Sequence, residues 1–145
     1  MSPSQKANVS APVVQTTLFQ AASIDEAARQ YAFQAPMQAL LVESFPAVFN
    51  MVALSTVFGA KRGQLGCTHV VEIDGLEIYR HEHPPSPIPL DETGIAFHLG
   101  LENITVTEPC VVTVKTVLSN GSKGQDIPLR VLSQSRSNGN LNLKG

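Results

Sequence analysis

The residues best equipped for chemistry are crowded together. All four histidines, His69, His81, His83 and His98, fall between positions 69 and 98 of the 145-residue chain. On a strand, His81 and His83 at i and i+2 point to one face, about 6–7 Å apart. Two imidazoles at that spacing can hold one metal ion. Pairing the flanking runs across Asp74-Gly75 puts Glu72 and Glu77 opposite one another on that same face. Facing carboxylates repel, so a cation between them would be stabilising. The candidate metal ligands are therefore His81, His83 and Glu77.

A hairpin must position them. Cys67-Thr-His-Val-Val-Glu-Ile73 and Leu76-Glu-Ile-Tyr-Arg-His-Glu-His83 are β-rich runs separated by Asp74-Gly75. Asp-Gly between such runs signals a type I′ turn, whose two central residues need positive φ. The turn sets an expected register. Ile73 meets Leu76, Val71 meets Ile78 and His69 meets Arg80 on one face. Glu72 meets Glu77, Val70 meets Tyr79 and Thr68 meets His81 on the other. The first face is apolar near the turn and is assigned to the core. His69 is then a core or edge histidine with a satisfied hydrogen bond, on the face opposite His81 and His83. His98 sits between Phe97 and Leu99 with the opposite parity to both.

Gly75, five residues, then His81-x-His83 also resembles the opening of the first cupin motif. The resemblance covers residues 75–83 alone. It implies a small cupin-like metal-binding protein or metal-dependent enzyme using the His81/His83 pair, with His98 or Glu77 as a further ligand. The chain departs from that pattern where the family places a glutamate shortly after the second histidine. Pro84-Pro-Ser-Pro87 fills that stretch, and the next acid is Asp91. Gly94 to Asn103, with His98, only faintly echoes the second motif.

Other reactive constellations are not found in the sequence. There is no Gly-x-Ser-x-Gly elbow and no Gly-rich phosphate loop opening a helix. Two cysteines, Cys67 and Cys110, are too few for a disulfide scaffold and read as separate buried thiols. Lys61-Arg62 reads as a solvated turn, and Asp91-Glu92 as two loop acids. No cofactor is expected.

The rest of the chain reads as short strands. Ala47–Phe58 is apolar on both parities, which suits a strand buried on both sides or one packed against a neighbour. Ile95–Val106, Cys110–Leu118 and Ile127–Leu132 read as further strands. His83-Pro-Pro-Ser-Pro-Ile-Pro89 cannot be a central strand, because proline gives the ladder no donor. One helix is expected, at 24–34. Ser23 and Glu26 have the capping-box spacing, Ile24, Ala27, Ala28 and Tyr31 have the helical one, and Pro36 closes it. Strands with turn signals every 8–12 residues indicate an all-β fold. The expected body is an antiparallel β-sandwich or jelly-roll-like domain over 21–132. An extended arm precedes it at 1–20 and a polar tail follows at 133–145.

Charge then bears on function. Charged residues make up 15% of the chain and the net charge is −2. That argues against a nucleic-acid grip built on phosphate neutralisation, and with 43% hydrophobic residues it argues against general disorder. No apolar segment suits a secretory signal or a membrane span. Residues 1–60 carry only Lys6, Asp25, Glu26, Arg29 and Glu43. Surfaces poor in Lys, Glu and Asp suit contact with other protein. The expectation is a non-catalytic, self-associating structural protein in the virion or cytoplasm, such as a capsid decoration (cement) protein. Its partners would be its own copies and a larger shell, with neither nucleic acid nor membrane. The cupin-like metal protein is the alternative.

Overall fold

Alternation of inward and outward side chains defines the strands. In a computed structural model, which describes residues 12–25, 27, 30–60, 63–89 and 94–133, nine strands are present among those residues. They are β1 (Val13–Asp25), β2 (Gln30–Met37), β3 (Ala39–Val42), β4 (Ala47–Phe58), β5 (Gln64–Ile73), β6 (Leu76–Pro87), β7 (Ile95–Val106), β8 (Cys110–Leu118) and β9 (Ile127–Ser133). They form two sheets, β2-β1-β4-β7 and β3-β9-β8-β5-β6, packed face to face as a β-sandwich. All strand pairs are antiparallel except β3 with β9.

The core lies between the sheets. From the first sheet come Leu18, Met51, Ala53, Leu99, Ile104 and Val106. From the second come Val71, Cys110, Val112, Val114, Leu129 and Val131. In β8 every second residue from Cys110 to Leu118 is buried, the pattern of a strand with one face on the core. Each fully buried Val or Leu contributes about 1.5–3 kcal/mol of transfer free energy. Segment 47–58 follows the same rule. Met51, Ala53, Ser55 and Val57 point inward in β4 while their neighbours stay partly exposed.

The N-terminal expectations change. Among the described residues of 24–34 there is no helix. Residues 24–25 end β1 and residues 30–34 lie in β2, joined through 26–29, of which only Ala27 is described. Ile24 and Tyr31, seven apart, are register partners across this hairpin instead of neighbours on a helix face. An eleven-residue helix is marginal alone, whereas the hairpin continues a strand already paired with β4. Residues 13–20, expected in the arm, belong to β1, and Val13–Phe19 pair with β4. Residues 1–11 and the tail 134–145 lie outside the described residues.

The two sides of the sandwich differ. On one side the chain bends at Gln38 and passes from β2 in the first sheet to β3 in the second. On the other side stand β6 and β7, each the last strand of its sheet. The prolines Pro84, Pro85 and Pro87 thus sit on an edge strand, where a missing donor costs no ladder bond.

Candidate functional site

The β5–β6 hairpin is built on the expected turn. Asp74 and Gly75 have φ of 49° and 86°, as a type I′ turn requires. The tip is pinned to β8, since Asp74 N donates to Val111 O and Val111 N to Asp74 Oδ1, both at 2.9 Å. Ile73 pairs with Leu76 and Glu72 with Glu77, as the turn dictates.

Beyond that point the register departs from the expectation. Val71 pairs with Tyr79, so Ile78 is an extra residue on β6, a β-bulge. One inserted residue moves every later side chain to the other face. His81 now pairs with His69 and His83 with Cys67. The two histidines therefore share the inner face with His69 and Cys67, and Glu77 does not share it. Glu77 instead bonds Arg80 Nη2 at 2.8 Å on the solvent side, a bond that holds its carboxyl below the usual range. Glu72 lies 3.3 Å from Lys115 Nζ. Arg80 and Lys115 thus each place a positive charge beside one of the facing carboxylates. Of the three sequence candidates, His81 and His83 come together, with ring centroids 4.5 Å apart.

His69 is fully buried, and both of its ring nitrogens are engaged. Nε2 lies 2.8 Å from Ser55 Oγ, across the sandwich on β4. Nδ1 lies 2.8 Å from His83 Nε2. Ser55 Oγ in turn contacts Thr16 Oγ1 at 2.8 Å and Thr116 Oγ1 at 3.1 Å, and those two hydroxyls are 3.1 Å apart. Five strands from both sheets thus contribute to one polar network in an otherwise apolar interior. A buried polar group is costly unless bonded, and no buried side-chain nitrogen or oxygen among the described residues lacks a partner.

The electrostatics follow from burial. Desolvation, then the charges of His83, His81 and His98, push His69 down to about 4. Desolvation, then His81 and His98, push His83 down to about 4. Both rings are therefore neutral at pH 7, and the short contact between them is a single shared N–H. Burial pushes the Cys67 thiol up to about 12. Cys67 and Cys110 are both free and buried, as two separate thiols.

The sulfur of Cys67 and one ring nitrogen each of His69 and His83 lie within 4.8 Å of one another. Two residues of this group, Cys67 and His69, were not among the sequence candidates as ligands. Cys67-x-His69 was the available signal, but the expected register placed it away from His83. His98 is on the outer face of the other sheet, with Tyr31 and Phe33 rings 5.2 and 6.1 Å away.

A second feature lies along the same hairpin. Leu76 is 71% exposed, and Ile78 and Tyr79 are exposed beside it. Ile78 and Tyr79 border a groove of about 340 Å³ between β6 and β7, where Ile73, Leu101 and Ile104 meet the polar Glu102, Asn103 and Thr105. No family model matches the chain, and no curated protein matches it.

Proposed function

We propose that this chain is a non-catalytic assembly module whose β6 edge packs against a second copy of itself. The observation that carries this is the open side of the sandwich. Strand β6 pairs on one side only, with β5. Edge strands with free ladder groups recruit other strands unless blocked. Pro84, Pro85 and Pro87 block one end of β6, while Leu76–His83 retains its donors next to three exposed apolar side chains. Antiparallel pairing of two β6 strands is self-complementary and closes as a two-fold dimer.

The β1–β2 ribbon supports the same reading. Past Phe19 strand β1 pairs with β2 alone, and Gln20–Ser23 and Gln30–Ala32 are exposed. The ribbon's Tyr31 and Phe33 rings lie against His98 of β7, and its exposed rim offers a surface for contact with neighbouring protein. Together with the low charge of residues 1–60, this favours a part of a larger shell, such as a virion accessory or capsid decoration protein. The test is the mass of the full chain in solution and its dependence on the β6 edge. A monomer at every concentration would refute the proposal.

A further inference from the structure

The geometry points to a zinc-type metal site inside the sandwich edge, formed by Cys67, His69 and His83. This is independent of the assembly role and uses a different ligand set from the His81, His83 and Glu77 that spacing suggested.

Three features carry it. The donors are a thiol and two imidazoles, the set that zinc and related borderline-soft divalent ions prefer over calcium or magnesium. Their ligand atoms already lie within 4.8 Å of one another. Cys67 and His83 are direct cross-strand partners, and His69 is two residues along β5, so rigid ladder geometry holds all three. Zinc–nitrogen bonds of about 2.0–2.1 Å in a tetrahedral site put two nitrogens about 3.3 Å apart. His69 Nδ1 and His83 Nε2 stand at 2.8 Å. Separating the rings by about half an ångström opens room for an ion where one proton now sits.

The surroundings are arranged for the exchange. Ser55 Oγ can accept from His69 Nε2–H and pass its own proton to Thr16 or Thr116. That fixes the His69 tautomer with the Nδ1 lone pair toward His83, the outer-shell role that ligating histidines generally need. Binding through Nε2 requires the His83 proton to move from Nε2 to Nδ1, so that both imidazoles stay neutral, and it releases one proton, that of the Cys67 thiol, to solvent. His83 is half-buried on the edge strand, and His81 stands beside it on the same face, giving the ion a path in and a fourth position open to water.

The experiment is cobalt and zinc titration of the full chain after chelator treatment and dialysis. One ion per chain is expected, with Co²⁺ giving a thiolate-to-metal charge-transfer band and tetrahedral d–d bands. Cys67→Ser should remove the charge-transfer band. His83→Gln, on the half-buried edge where folding tolerates it, should weaken binding by about 100-fold or more while the circular dichroism stays unchanged. Zinc should raise the melting temperature of the wild type and not of His83→Gln. Folded wild-type protein that takes up no stoichiometric metal overturns the proposal, and the network is then a hydrogen-bonded one only. A cobalt spectrum unaltered in Cys67→Ser overturns it as well.

Discussion

His69 and His83 meet nitrogen to nitrogen at 2.8 Å, one fully buried in the middle of a sheet and the other on its edge. The contact exists because Ile78 is inserted into β6, turning His83 inward. It ties the interior of the sandwich to its open side, and most of what can be measured about this chain follows from it.

The pH dependence of stability is the first consequence. In metal-free protein both rings have folded-state values of about 4, below the usual 6.5. The unfolded chain therefore takes up protons between those values while the folded chain does not. Stability is full above pH 6.5 and falls as pH drops toward 4. For the buried His69 the loss is on the order of 3 kcal/mol. Urea midpoints from pH 7.5 to 4.5 should fall steeply in wild type and less in His69→Gln. His81, His83 and Cys67 face the ring on its own sheet and Ser55 faces it from β4, with no carboxylate among them to reverse the sign. An unchanged midpoint at pH 4.5 would contradict this.

Ser55 is the hub of the network. Ser55→Ala removes a partner from His69, Thr16 and Thr116 together, and should cost about 1–3 kcal/mol. Because Thr116 shares the network, Ser55→Ala with Thr116→Val should cost less than the sum of the two singles. Chemical denaturation of the four proteins checks both statements. Additive losses would mean that the hydroxyls act separately.

The turn offers a cleaner backbone test. Gly75 has φ 86°, and a Cβ there would touch nothing within 4 Å. Gly75→Ala is thus a pure conformational substitution, expected to cost about 1–2 kcal/mol. Asp74→Asn keeps both the tolerance for positive φ and the oxygen that accepts from Val111 N, and should be near neutral. If Gly75→Ala is as stable as wild type, the hairpin does not need the left-handed turn.

These points also mark how far the sequence alone could be read. Asp74-Gly75 and the alternation in 95–106 and 110–118 were legible, because turn chemistry and period are local. The bulge at Ile78 was not. Nothing in Leu-Glu-Ile-Tyr distinguishes a continuous ladder from one with an inserted residue, and that single insertion decides which face His81 and His83 occupy. The helix at 24–34 failed for a related reason. Ile24 and Tyr31 satisfy a helical spacing and also meet across a hairpin, and only pairing with the rest of the sheet selects the second. The candidate site was half visible: His83 was named, while Cys67 and His69 were placed on the wrong side of the strand relative to it.

Truncation tests the placement of the first strand. Residues 13–19 pair with β4, and Leu18 is 1% exposed. Removing residues 1–20 should therefore abolish folding, by circular dichroism and loss of a cooperative melt. A folded protein lacking 1–20 would contradict the placement of β1.

The assembly claim is tested most directly by light-scattering mass across a concentration series, for wild type and for a Leu76→Lys/Ile78→Lys variant. Both positions are exposed, so the variant should keep its fold. The account predicts a multiple of 15.5 kDa for wild type and a shift to 15.5 kDa for the variant. A wild-type mass of 15.5 kDa throughout, or an oligomer that the variant leaves intact, would contradict it.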